Sequence, residues 1–172
     1  MSQALVCIVR SESTAQNIVD DLRSGGFSGN DISVLFPDRS GTRDFAHEKG
    51  TKAPEGAAAG ATTGGLLGGA AGWLVGIGAL AIPGVGPLIA AGPIMAALGG
   101  AAVGATAGGL TGALVGLGIP EYEAKQYEGK IRDGNILISV HTEDGDERRR
   151  AKEIFEIHEA SDVATAREKK AV

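Results

Sequence analysis

The one cysteine and the three histidines are the side chains to weigh first for nucleophilic, acid–base or metal chemistry, and their spacing matches no catalytic or metal-binding motif. The one cysteine, Cys7, lies inside the apolar run QALVCIV, where a thiol reads as a buried structural residue rather than a nucleophile. The three histidines, His47, His141 and His158, are too scattered for a metal-ligand spacing. His158, beside Glu156 and Glu159, reads as the edge of an amphipathic helix. The abundant glycines invite a phosphate-loop reading, yet no glycine loop ends in Gly-Lys-Ser/Thr and no GxGxxG follows a strand. No acid, base, nucleophile or metal constellation emerges, so the expectation is a non-enzyme with no catalytic residue, no cofactor and no metal.

Basic side chains offer a different chemistry. Arg148, Arg149 and Arg150 form the one basic cluster. It reads first as a solvated helix face beside Asp144, Asp146, Glu147 and Glu153, with contact to anionic lipid head groups as the functional alternative. Lys49 and Lys52 could do the same just before the apolar region. Tyr122 and Tyr127 fit either a membrane junction or core packing. Both flanks are acidic: residues 1–55 carry 6 basic and 8 acidic groups, and residues 121–172 carry 10 and 13. No basic face dominates, so nucleic acid is excluded as the expected partner.

Between the flanks stands the dominant pattern. From Gly56 to Pro120 there is no Asp, Glu, Lys, Arg or His, and 20 of the 28 glycines fall there. Gly56, Gly60, Gly64, Gly68, Gly72 and Gly76 form one series at spacing four. Gly100, Gly104, Gly108, Gly112 and Gly116 form a second, extended backwards by Ala96 and Gly92. Four residues is about one helical turn, so each series lays a groove of bare backbone along a helix, the small-xxx-small pattern of closely packed helices. Six glycines in one helix cost roughly 5 kcal/mol relative to alanine, which close contacts or lipid must offset. A step of four turns about 40° past a full turn, so the groove winds around the helix and suits two partners, one in the same hairpin and one in another subunit. A homo-oligomer is expected. The presence of Leu, Ile, Val and Trp73 sets the stretch apart from a flexible linker.

The elements that carry these residues follow from periodicity. QALVCIV is a strand. Ala15, Ile18, Val19 and Leu22 give one helical face, capped by Ser13 or Thr14 and ended by Gly25 and Gly26. Residues 32–36 form a second strand. Residues 37–55 read as a polar linker and 56–119 as a long apolar glycine-zipper helical hairpin. Its helices are expected over about 56–81 and 93–117, with a turn marked by Pro83, Gly84, Gly86, Pro87 and Pro93. That turn has no polar side chain, so a re-entrant or monotopic hairpin fits better than two full spans. After Pro120 come a helix carrying Ala124, Tyr127 and Ile131, the strand NILISVH, an Asp144-capped helix and a short last strand at 162–165. Residues 1–36 and 120–172 thus form two halves of one α+β domain of the ferredoxin-like, split β-α-β type, interrupted by the hairpin.

The stretches TKAPEGAAAGATTGGLLGGAAGWLVGIGALAIPGVGPLIAAGPIMAAL and LTGALVGLGIPEYEAKQYEGKIRDGNILISVH resemble the bacterial heat-induced, general-stress-protein family with a glycine-zipper insert. The IPGVGP turn and the GIPEYEAKQYE segment carry the resemblance most specifically. It implies a stress-associated cytoplasmic or membrane-associated protein and brings no catalytic residues.

The function expected is therefore self-assembly through the glycine helices, with insertion in or association with the cytoplasmic membrane from its inner face. MSQALVCIVRSE lacks a basic leader with a long apolar run, consistent with a cytoplasmic protein. The alternatives are a large soluble homo-oligomer or filament whose hairpins bury one another without lipid, and a ligand-sensing ferredoxin-like module.

Overall fold

The computed structural model describes residues 3–37, 77–82, 85–94, 109–116 and 118–167. In chain order the elements are β1 (Gln3–Val9), α1 (Glu12–Ser24), β2 (Ile32–Pro37), β3 (Ile77–Ile82), β4 (Gly86–Ala91), α2 (Gly109–Gly116), α3 (Glu121–Arg132), β5 (Ile136–Thr142), α4 (Gly145–Ile157) and β6 (Ser161–Arg167). The result is a mixed α/β structure. Six strands form one sheet in the order β3-β4-β2-β5-β1-β6, and every neighbouring pair is antiparallel.

The central strands are buried on both faces, which is why β1 reads as an unbroken apolar run. Leu5, Cys7 and Val9 point to one face and Val6 and Ile8 to the other. On the first face α1 and α4 close a core in which Ile18, Leu22, Ile138 and Phe155 are fully buried. On the second, α2 and α3 cover Val6, Ile8, Leu35, Leu88 and Leu137 with Leu110, Leu114, Tyr127 and Ile131.

Local signals set the helix ends. Ser11, rather than Ser13 or Thr14, caps α1: its hydroxyl accepts from the Thr14 N–H at 3.1 Å. Asp144 caps α4, accepting from the N–H groups of Asp146 and Glu147 at 2.8 Å each. Pro120 stands as the cap residue of α3, one place before its first turn. Strand β6 runs longer than residues 162–165, because β1 pairs with it from Ser161 to Arg167.

One expectation is corrected here. Residues 77–82 and 86–91, read as the end of a glycine helix and its apolar turn, are the paired strands β3 and β4, and β4 continues the sheet beside β2. The physical reason is the open edge of β2, whose backbone groups need partners. A short run apolar on every side suits a two-faced buried strand as well as a buried helix. Leu88 and Ala90 accordingly enter one core and Ile89 and Ala91 the other.

Candidate functional site

The residues singled out for assembly divide between described and undescribed parts of the chain. Gly56, Gly60, Gly64, Gly68, Gly72, Gly76, Gly100, Gly104 and Gly108 lie outside the described residues, as do Trp73, Pro83, Gly84, His47, Lys49 and Lys52. Three glycines of the second series are described, and they do two different things.

Gly92 is no helix-packing residue. It follows β4 with φ +87° and lies against β2, so a Cβ there would overlap the Ile32 carbonyl oxygen and stand 3.0 Å from the Ile32 carbonyl carbon and from Ser33 Cα. Only glycine meets both demands, a left-handed backbone and backbone-to-backbone approach. Two residues on, the Ile94 N–H donates to the buried Ser33 hydroxyl at 3.1 Å, fastening the exit of β4 to β2. Of the other turn residues, Gly86 opens β4, Pro87 pairs with Ala81, and the exposed Pro93 follows Gly92.

Gly112 and Gly116 are helical, in α2. Leu110 and Leu114 turn into the core, while Gly112, Gly116 and Val115 (39% exposed) face outward. Among the described residues a Cβ on Gly112 or Gly116 would meet no atom within 4 Å outside its own helix backbone. The described end of the uncharged region thus presents an apolar face whose two glycines pack against nothing else among the described residues.

Helix α2 is anchored from α3. One Glu128 oxygen accepts from the Thr111 N–H at 2.7 Å and from the Thr111 hydroxyl, at the start of α2. Its other oxygen takes a hydrogen bond from Arg132 Nη2 at 3.0 Å. A carboxylate on the free N–H groups of a helix start is favourable for charge and for hydrogen bonding alike. On the opposite flank of α3, the buried Tyr127 hydroxyl donates to the Asp162 carbonyl at 2.7 Å, and Lys130 pairs with the Asp162 carboxylate. Burial, with the charges of Glu123 and Asp162, pushes the Tyr127 phenol well up. Glu123 keeps one buried carboxylate oxygen, Oε2, without a hydrogen-bond partner among the described residues.

The chemical candidates are placed as structural residues. Cys7 is fully buried, and burial pushes its thiol far above the usual range, the opposite of nucleophile activation. His158 Nε2 meets Asp21 Oδ2 at 2.6 Å, joining α4 to α1. His141 lies on β5, where its N–H donates to the Asp31 carbonyl at 2.7 Å. The arginine cluster is exposed along α4. Arg148 bonds Gln3 Oε1, Arg149 meets Asp146 at 3.0 Å, and Arg150 stands 5.8 Å from the Phe27 ring centre. A cavity of about 210 Å³ opens at the start of α1 between Arg10, Ser11, Phe36 and Ile136.

Among the described residues no helix is long and apolar enough to cross a membrane, and no group of His, Cys, Asp and Glu is arranged to hold a metal ion. No protein-family model, curated protein or solved structure matches this chain. Glu128, Ser33 and Glu123 escape sequence reasoning. The Glu128–Thr111 and Ser33–Ile94 bonds span 17 and 61 residues, and no local pattern marks such contacts.

Proposed function

We propose that this is a non-enzymatic, stress-associated protein that assembles with its own copies through glycine-zipper helices carried on a ferredoxin-like domain, in association with the inner face of the cytoplasmic membrane. The strand order β6-β1-β5-β2, with α1 and α4 on one face, supports the split β-α-β assignment; β3 and β4 extend that sheet at the β2 edge.

The observation that carries the zipper reading is a coincidence of registers. In the β3–β4 pair Ile77 faces Ala91 and Ile82 faces Gly86, which centres the hairpin on position 84. The two glycine series mirror each other about the same position: Gly76 with Gly92, Gly68 with Gly100, Gly64 with Gly104, Gly60 with Gly108 and Gly56 with Gly112, with Ala96 opposite Gly72. Past Gly92, which packs on β2 instead, two helices leaving the paired ends of this hairpin would climb at equal rise, so that their small residues would meet level by level. The β-hairpin takes the place of the apolar turn and sets the zipper's register.

The soluble assembly is kept as a second reading for a specific reason. The apolar turn that favoured a re-entrant membrane hairpin is used up in the sheet as β3 and β4. Carbonate extraction of membranes from cells making the full chain separates the two. Retention in the washed membrane supports lipid association, whereas a large particle in the soluble fraction supports burial of the zippers in one another. The double change Gly68→Leu with Gly108→Leu should disperse either assembly and leave the α/β domain folded. Unchanged assembly of that variant overturns the zipper.

A further inference from the structure

The geometry points to a second self-association surface, at the opposite edge of the sheet from the glycine-rich insertion: β6 and the flank of α3 beside it pair with the same surface of a second copy around a two-fold axis. Among the described residues strand β6 has one neighbour, β1, so its outer side offers backbone N–H and C=O groups that no described strand pairs. Such an edge is either protected or used, and antiparallel addition of an identical strand satisfies it.

What selects a second copy as the occupant is self-complementarity along α3. Lys130 pairs with Asp162 of β6, which identifies the flank of α3 that faces this edge. Glu123 stands two helical turns earlier on that flank, about 10 Å from Lys130 along the axis. Glu123 is half-buried: Oε2 is turned inward, shielded from solvent, so only the remaining edge of the carboxylate can face a second copy, and Lys130 keeps donors beyond its bond to Asp162. An antiparallel pair of α3 helices centred between these residues sets each Glu123 opposite the other copy's Lys130.

Shape follows the same symmetry. Tyr122, one place before Glu123, is 74% exposed. Seven residues on, Gly129 has open space where a side chain would be, in a shallow groove floored by Lys130 and Asp162. The two-fold axis that pairs the charges lays each tyrosine ring over the other copy's groove, with Lys130 beside it. Acid meets base and ring meets groove, twice, in one surface.

Charge reversal and mixing test this in the full-length chain, with association followed by analytical ultracentrifugation at low micromolar concentration and folding checked by circular dichroism. E123K and K130E alone each set like charges across the axis and should self-associate about tenfold more weakly than the unmodified chain. Mixed in equal amounts they restore both opposite-charge pairs, so the mixture should associate as tightly as the unmodified chain. Singles that self-associate as the unmodified chain does, or a mixture no tighter than either single, overturn the proposal. If a reversal variant fails to fold, Glu123→Gln takes its place: self-association of the unmodified chain should weaken with added salt, and E123Q should lose that dependence. Equal salt dependence of the two overturns it. The result is independent of the glycine zipper, because the glycines are untouched.

Discussion

Gly92→Ala separates two roles for one glycine. In a helix-packing series alanine is a tolerated small residue and improves helix propensity by about 1 kcal/mol. At the exit of β4 the same change should be strongly destabilising. The left-handed φ of +87° costs a non-glycine residue about 1–2 kcal/mol. The new methyl group would occupy the position of the Ile32 carbonyl oxygen, so β4 must move away from β2, an overpacking cost of about 1–3 kcal/mol. That movement also stretches the buried bond from the Ile94 N–H to the Ser33 hydroxyl, worth about 1–3 kcal/mol when its groups are left unsatisfied. These costs overlap, since one shift relieves part of each, and the expected total is about 4 kcal/mol. Urea unfolding followed by circular dichroism should show a lower midpoint at unchanged slope. Gly112→Ala is the control, in a helix with open space in front of it, and should be neutral or stabilising by up to about 1 kcal/mol. A loss below about 1 kcal/mol at position 92 would refute the strand-end geometry.

Tyr127→Phe removes the donor to the Asp162 carbonyl and should cost about 1 kcal/mol in the same assay, with Lys130 still paired to Asp162. The hydrogen bond from Lys130 holds the Asp162 carboxyl below its ordinary value. A lowered native pKa gives stability that is full above the unfolded value, about 3.9, and lost as pH falls through the native one; acid unfolding of Asp162→Asn should therefore lack that component below about pH 4. Cys7 should resist a disulfide-exchange thiol reagent at pH 8 until denaturant unfolds the sheet, and prompt labelling of folded chain would contradict its burial. In a Cys7→Ser chain, Gly68→Cys with Gly100→Cys should oxidise to an intrachain disulfide far faster than Gly68→Cys with Gly104→Cys; equal rates would rule out the mirrored zipper register.

The sequence announces this fold wherever one side of an element is wet. Helices α1 and α4 each have a polar face, so Ala15, Ile18, Val19 and Leu22, or Ala151 and Phe155, stand out at helical spacing. Asp144 is legible as a cap for the same local reason. Strands β1, β2 and β5 are legible through their β-branched residues. Residues 77–91 fail that test because the run is apolar throughout, and where β4 is described Leu88 and Ala90 enter one core and Ile89 and Ala91 the other: with no polar side to supply a period, strand and helix look alike. Gly92 misleads for a subtler reason. It falls in phase with a helical glycine series, yet it answers a demand from the Ile32 backbone, which sequence spacing cannot register. The anchoring of α2 by Glu128 is equally silent, since an i,i+4 pair with Arg132 already accounts for that glutamate on α3.

The two proposed association surfaces would bear on each other through their places in the sheet. The glycine-rich insertion joins at β3 and β4, and β6 is the other edge, four strands from β4. A single isologous interface closes on itself as a dimer and stops. A chain with two independent self-complementary surfaces at opposite edges has no such stop, because each pair formed at β6 still presents two insertions. Growth then depends on how the two symmetry axes are inclined: axes that meet give a closed particle, and axes that do not give a filament. The two surfaces also respond differently to the cell. As proposed, pairing at β6 would draw on Glu123 and Lys130 and weaken with salt, whereas an uncharged zipper would not. Removing one surface at a time should therefore leave assemblies of different size and different salt dependence: a salt-sensitive dimer when Gly68 and Gly108 are replaced, and a salt-insensitive assembly when Glu123 is neutralised.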